Sequence, residues 1–492
     1  MTDFTHTFDF IIAGGTVIDG TRKPRFDADI GVKDGRIAAI GNLSSSSAET
    51  VFDARGKVVA PGFIDSHTHD DRIVLTDPDM ACKVSQGVTT VITGNCGISL
   101  APARKDMSVP MPLSFLHIGG RSDTYCFETF VEYLDAIRRA PAAVNVAALV
   151  GHTTLRAVVM DSFDHEATAT EIDAMQQLLD EALQAGAIGA STGTFYPPAA
   201  KASTSEVVEV CRPLTKAKAV YATHMRDEAD ESIAALNESF EIGRLLNVPV
   251  VVSHHKLKGE RNFGKSAATL SLIHSAMQCQ CVSLDCYPYS ASSTMLHSDE
   301  SKLEGRVLVA TSETHPEQAG RLIGDIANDW GLSRAEAAKR MQPGSAIYFN
   351  MDEGDVRSIL SFAATMIGSD GLPVGDNPHP RLWGTFPRVL GHYSREVGLF
   401  PLETAVWKMS GLTARTFGLA DRGTVEVGKH ADLVIFDAAT VRDTATYDAP
   451  TSPAEGIDAV FVNGALTWSD GGHTGQRNGS VIVRLPKDAE AA

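Results

Sequence analysis

Hydrophobic and polar positions fall into two textures along the chain. In the middle, short apolar runs of the kind that form buried parallel strands occur at 62–66, 88–93, 144–150, 187–192, 220–223, 249–253, 281–285 and 365–369. Most gaps between them carry a helical period. Ile172, Met175, Leu178, Leu179 and Leu183 share one face of 170–185, where Glu171 and Asp173 suit the positive end of the helix dipole, and 232–246 reads as a second such helix. Eight strand–helix units closing on themselves predict an α/β chain with a (β/α)8 TIM-like barrel. A doubly wound open sheet is the alternative, but no Gly-x-Gly-x-x-Gly follows the first run.

The flanks differ. Short strand patterns at 8–13, 16–19, 29–32, 36–41 and 58–60 are separated by Gly-Gly, Asp-Gly and Gly-Asn turns, and 431–437, 459–462 and 480–485 have the same texture. The two flanks predict a small β-sandwich domain built from both chain ends, 1–60 and 415–492, around a catalytic barrel at 61–414. The long gap between strands seven and eight, about 287–350, predicts a lid-like insertion over the barrel mouth, with a helical stretch at 316–340.

Composition narrows the class. With 43% hydrophobic and 21% charged residues the 492-residue chain has the makings of a large core, which excludes a disordered protein. A formal net charge of −18 argues against nucleic acid as a partner. No apolar run approaches the roughly 20 residues that span a bilayer. Met1 to His6 shows neither a basic start nor an apolar core, so no signal peptide is expected and the cytoplasm is the default location. Seven cysteines at irregular spacing form no disulfide framework; Cys279, Cys281 and Cys286 could suggest a thiol cluster, but two of them sit at strand spacing and read as small buried hydrophobes.

In barrels of this kind the reacting groups follow the C-terminal ends of the strands. Applied here, that rule selects His67 and His69 after strand one, Cys96 after strand two, His224 after strand five, His254 after strand six and Asp370 after strand eight. A period of two places His67 and His69 on one face, where both reach one ion. His255, adjacent to His254, points the opposite way. Imidazole, thiolate and carboxylate together suit zinc. Zinc held by Cys96, His224 and His254 keeps a fourth position open and lowers the pKa of a water there from 15.7 toward about 7. His67 and His69 then form a second, weaker metal position, and Asp370 takes the proton of the attacking water and delivers it to the leaving amine. The implied chemistry is metal-assisted hydrolysis of an amide or related C–N bond. Lys256, Tyr287 and Arg381 near the same strand ends could cradle a carboxylate.

Several stretches resemble the amidohydrolase superfamily: Gly14 to Gly20, Gly62 to His69, and Gly428 to Val434. Gly94-Asn95-Cys96-Gly97-Ile98-Ser99, Tyr221 to Glu228, Ser253 to Lys256 and Met366 to Pro373 are similar to the D-aminoacylases, the N-acyl-D-amino-acid deacylases, over nearly the whole chain. The resemblance implies Cys96, His224 and His254 as tight zinc ligands, His67 and His69 at the weaker position, Asp370 as acid and base, and Lys256, Tyr287 and Arg381 on the α-carboxylate. Preference for the D-enantiomer is implied by the resemblance alone. It also implies a side-chain pocket in which Tyr348 and Met351 fit, while Lys302 stands where members acting on apolar substrates resemble a leucine; a cation there would favour an acidic side chain, D-glutamate or D-aspartate. His297 and Arg306 lie nearby in sequence. Two alternatives stand beside this reading. A cyclic amidase of the hydantoinase or dihydropyrimidinase type would need a lysine near the end of strand four, and 187–198 has none. A non-catalytic scaffold would have lost ligands, yet all six candidates are present.

Overall fold

The computed structural model describes residues 7–106, 109–117 and 126–484; Met1 to His6 and Leu485 lie outside them. Eight parallel strands organise the middle of the chain: β1 (Phe63–Asp65), β2 (Val88–Thr93), β3 (Asn145–Gly151), β4 (Gly189–Gly193), β5 (Val220–His224), β6 (Val250–Val252), β7 (Val282–Cys286) and β8 (Thr365–Ile367). All but one of their residues are buried, which is why they read as continuous apolar runs rather than alternating ones. They hydrogen-bond in sequence order from β1 to β8. The ring is drawn together between first and last by Ser66 N–H to the Ile367 carbonyl at 3.3 Å, Asp370 N–H to the His67 carbonyl at 2.8 Å and His69 N–H to the Gly371 carbonyl at 3.1 Å. Inside, Ile64, Ile92, Leu149, Val220, Val251 and Met366 pack with Leu412 and Phe417 of the helix Gly411–Phe417. The barrel is a filled core rather than a pore.

The helix expected at 170–185 runs over Ala169–Ala185. Thr168 caps it by accepting from the Glu171 N–H while Glu171 accepts from the Thr168 N–H, so Glu171 acts as the partner in a capping box as well as through its charge. The helix over Ser232–Leu246 has the expected limits.

A second sheet takes strands from both chain ends. Phe8–Val17 is one strand with an irregularity between Ile12 and Gly15, not the two expected. Its first half pairs in parallel with Ala48–Asp53, a strand the polar pattern hid, and its second half with Val58–Pro61. Leu433–Phe436 pairs antiparallel with Val58–Pro61 and leads on to Ile457–Val462 and Ala465–Ser469. Phe10 stacks on Phe461 with ring centroids 4.8 Å apart. Their strands are three places apart in the hydrogen-bonded order, roughly 14 Å if flat, so the sheet folds over into two layers around Ile12, Ile30, Val59 and Leu433. The strand expected at 480–485 departs from this sheet: Val481–Ile482 pairs with Val146 and Ala147 of β3 instead. The reason is local. Asn145 Oδ1 accepts from both the N–H and the hydroxyl of Ser480, at 3.0 and 2.9 Å.

Between β7 and β8 the insertion forms its own three-stranded sheet, Ser292–Met295, Gly344–Tyr348 and Val307–Ser312, with helices Ile323–Trp330 and Arg334–Arg340 over it. Tyr196, in the loop after β4, reaches Thr294 at 3.2 Å, so the insertion lies against the barrel mouth. Cys279 and Cys281 are exposed, contrary to the expectation of small buried hydrophobes. They fall in the turn between the helix Ser266–Ala276 and the first buried residue of β7; Cys286 is buried.

Candidate active site and metal centre

Three candidate ligands sit in strained backbone just past their strands. Cys96, His254 and Asp370 have φ of 54°, 35° and 49°, values uncommon for residues other than glycine and costing about 1–3 kcal/mol each unless the surroundings enforce them. The surroundings of Cys96 do. Ser191 of β4 accepts from the Gly97 N–H at 2.9 Å, Asp71 accepts from the Gly94 N–H at 3.2 Å, and the Asn95 side chain donates to the Ile92 carbonyl at 2.9 Å. Glycine is required on both sides: a Cβ on Gly94 would lie 2.0 Å from the Leu149 carbonyl oxygen, and one on Gly97 2.6 Å from the Gly193 nitrogen.

All six residues selected from the sequence meet at the mouth. His67 Nε2 and His254 Nε2 each stand 3.2 Å from Cys96 Sγ, and His69 Nε2 stands 3.2 Å from Asp370 Oδ1. Two groups of donors each lie within 4.8 Å of one another: His67, His69, Cys96 and Asp370; and Cys96, His224 and His254. Cys96 belongs to both. The donors fit a metal. His224 is buried with neither ring nitrogen hydrogen-bonded, and His69 Nδ1 is likewise unpartnered, which is costly in a dry site unless something else binds there.

Charge is arranged to match. Burial raises the Cys96 thiol, but the imidazoles of His67 and His254 more than reverse this and hold it well below its usual range. Burial, opposed by Glu228, pushes His224 down to about 4, leaving a neutral imidazole. At Asp370 burial acts upward, yet Arg381 and the histidines keep the carboxyl well below the ordinary range, so it is an anion.

Three buried groups that sequence reasoning left without a role support this cluster. Glu228 Oε1 lies 2.9 Å from His254 Nδ1 and 2.5 Å from Lys256 Nζ, and its Oε2 lies 2.9 Å from Lys258; the contact fixes His254 with Nε2 toward Cys96. Asp285, at the end of β7, accepts from the His254 N–H at 2.8 Å and faces His67 Nδ1 at 3.4 Å. Lys83, wholly buried, donates to Asp65 at 2.8 Å and to Ser369 at 2.9 Å, tying the ends of β1 and β8. The strand-end rule that selected the ligands points to Asp285 too; nothing in the pattern marks Lys83.

The expected carboxylate cradle also assembles. Arg381 donates through Nη2 to Asp370 Oδ2 at 2.9 Å and lies over the Tyr287 ring at 4.5 Å, with Lys256 Nζ 5.5 Å from the same ring. Arg381 Nε and Nη1 are buried without partners. Lys256, however, is already held by Glu228 and by His254 Nδ1 at 2.7 Å. Across the mouth, Phe195 stacks on His224 at 5.1 Å and is approached by Lys258 at 4.5 Å, Lys302 at 5.3 Å and the His297 ring at 6.2 Å. Tyr348 donates to the Met295 carbonyl and accepts from the His297 N–H, both at 2.9 Å, and Met351 Sδ lies 3.5 Å from the Tyr287 hydroxyl. Arg306 stacks on Phe349 at 4.1 Å. His255 turns away, to Thr269 at 2.9 Å.

The chain is similar to known proteins. The Amidohydrolase family model matches residues 50–252 and 328–468. A D-aminoacylase of Alcaligenes xylosoxydans xylosoxydans is 58% identical over 97% of this chain and 98% of its own length, and an N-acyl-D-aspartate deacylase of the same organism is 52% identical over 98% and 96%. The crystal structure of an N-acyl-D-glutamate deacylase from Bordetella bronchiseptica, complexed with zinc and a phosphonate mimic of the tetrahedral intermediate, is 45% identical and superposes with a TM-score of 0.93 over 97% of this chain and 100% of that one. The chain therefore belongs to the amidohydrolase family, in its D-aminoacylase group.

Proposed function

We propose that this protein is a zinc-dependent N-acyl-D-amino-acid deacylase, hydrolysing a linear amide to a carboxylate and a free D-amino acid. The observation that carries the reading is Cys96, whose thiolate joins two groups of buried histidines beside an anionic Asp370. Cys96, His224 and His254 would hold zinc, with His67 and His69 at a second, weaker position; bound zinc would polarise the amide carbonyl and acidify water. Asp370 accepts the water's proton and passes it to the leaving nitrogen, and Arg381 Nη2 fixes its carboxylate in place. The free Nε and Nη1 of Arg381, with the Tyr287 hydroxyl and Lys256, receive the α-carboxylate. Glu228 keeps Lys256 within reach while orienting His254.

For the side chain, Lys302, Lys258 and His297 surround Phe195, an environment that favours an acidic group such as that of D-glutamate or D-aspartate. Tyr348 and Met351 complete the wall. Comparing kcat/KM for N-acetyl-D-glutamate and N-acetyl-D-methionine tests this. The acidic substrate should win, and Lys302→Leu should cost it about 1.5–3 kcal/mol of transition-state binding, roughly 10- to 150-fold. A clear preference of the unaltered enzyme for the methionine substrate would exclude a Lys302 contact with a carboxylate.

A further inference from the structure

We propose that the cavity beside His69 is the pocket for the N-acyl group, and that it selects straight-chain acyl groups longer than acetyl. The proposal rests on the deacylase reading. A D-amino-acid amide has three arms at its α-carbon. The carboxylate is drawn to Arg381, Tyr287 and Lys256, and the side chain to Phe195 and Lys302, which together occupy the mouth from the end of β4 round to β8. The acyl chain must leave the reacting carbonyl in the remaining direction, past His69 and Asp370. A cavity of about 210 Å³ opens there, lined by His69, Ile73, Phe115, Leu116, Leu372 and Val374. Its wall begins two residues beyond Asp370, so the group that moves the proton and the surface that would hold the acyl chain are one continuous segment.

Arg72 and Thr76 are the polar side chains of this lining besides His69. Phe115 and Gly375 also line a second cavity of about 280 Å³, where Met111, Ala310 and Pro343 offer further apolar surface and Glu313 and Asp376 add negative charge. A longer alkyl chain therefore finds more apolar surface as it extends.

The test uses the zinc-loaded full chain and acetyl, butanoyl and hexanoyl derivatives of one D-amino acid. The expected result is a kcat/KM that rises by about fourfold per methylene from acetyl to butanoyl and stays high for hexanoyl. Val374→Trp, which fills the cavity, should lower the butanoyl-to-acetyl ratio by about tenfold; Thr76→Phe, at an exposed position on the rim, should lower the same ratio if the tryptophan variant does not fold. A flat or falling series, or a folded Thr76→Phe variant with an unchanged ratio, would overturn the pocket while leaving the deacylase reading intact. Absence of hydrolysis for every N-acyl-D-amino acid would overturn both.

Discussion

Cys96 shows how much a single side chain is asked to do. A buried thiol is ordinarily neutral, and here two imidazoles within 3.2 Å of its sulfur make the thiolate the favoured form. Asp370 works the other way, as an anion kept available for proton transfer. Asp370→Asn should leave the zinc content unchanged while lowering kcat by about 10²- to 10⁴-fold; metal analysis beside steady-state rates separates the two, and loss of zinc in step with activity would make Asp370 a ligand rather than a base. The convergence of the candidate ligands was legible in the sequence because each follows an apolar run, so the barrel rule converted a one-dimensional position into a place at the mouth. Glu228 was not, although it lies four residues past His224, because its role comes from Lys256, Lys258 and His254 converging on it from the next strand end. Cys279 and Cys281 misled for the complementary reason: strand spacing was read across a turn, before the strand had begun.

At the level of elements, the site depends on loops held rigid from behind. The loop after β4, which carries Phe195 and Tyr196, is anchored by Arg156, whose Nε donates to the Pro198 carbonyl at 2.8 Å and whose guanidinium pairs with the buried Glu206. Burial acts upward on Glu206, but the neighbouring His152 ring and hydrogen bonds from Arg156 and the Ala167 N–H hold its carboxyl at about 2 against an ordinary 4.5. A carboxyl lowered on folding stabilises fully above its unfolded value. That contribution should be lost as pH falls from 4.5 toward 2. Thermal melts of the native protein and Glu206→Gln across this range check it: the melting temperatures should converge at low pH, and parallel curves would remove Glu206 from the account. The Cys96 loop is less forgiving still. Gly94→Ala, at φ 76° and with its Cβ 2.0 Å from a backbone oxygen, should destabilise by at least about 1–3 kcal/mol, read as a fall in melting temperature; a melting temperature equal to the native one would refute the tight approach. Strands buried on both faces were readable to within a residue or two, whereas Ala48–Asp53, partly exposed and polar, and the sheet that Val481–Ile482 joins, fixed by the Asn145 side chain, depended on contacts that no local pattern carries.

Across the whole molecule, the barrel, the two-layered sheet and the insertion divide the work. The barrel gathers donors from distant parts of the sequence, the insertion narrows the mouth with Tyr348, Met351 and Lys302, and Asn145 couples the sheet of the chain ends to β3 through Asp432 at 3.1 Å. No helix among the described residues is long and apolar enough to cross a membrane. Although the net charge is −18, four cations, Lys256, Lys258, Lys302 and Arg381, gather at the mouth, where an anionic substrate needs them. The central claim is that this mouth becomes a deacylase of D-substrates when zinc occupies it. The most direct measurement is a titration of chelator-stripped protein with zinc while following hydrolysis of N-acetyl-D-glutamate and its L-enantiomer. The stripped protein should show negligible rates, and the rate on the D-substrate should climb until about one zinc per chain is bound, with the L-substrate left far behind; full activity without zinc, or equal rates on both enantiomers, would rule out a zinc-dependent D-deacylase.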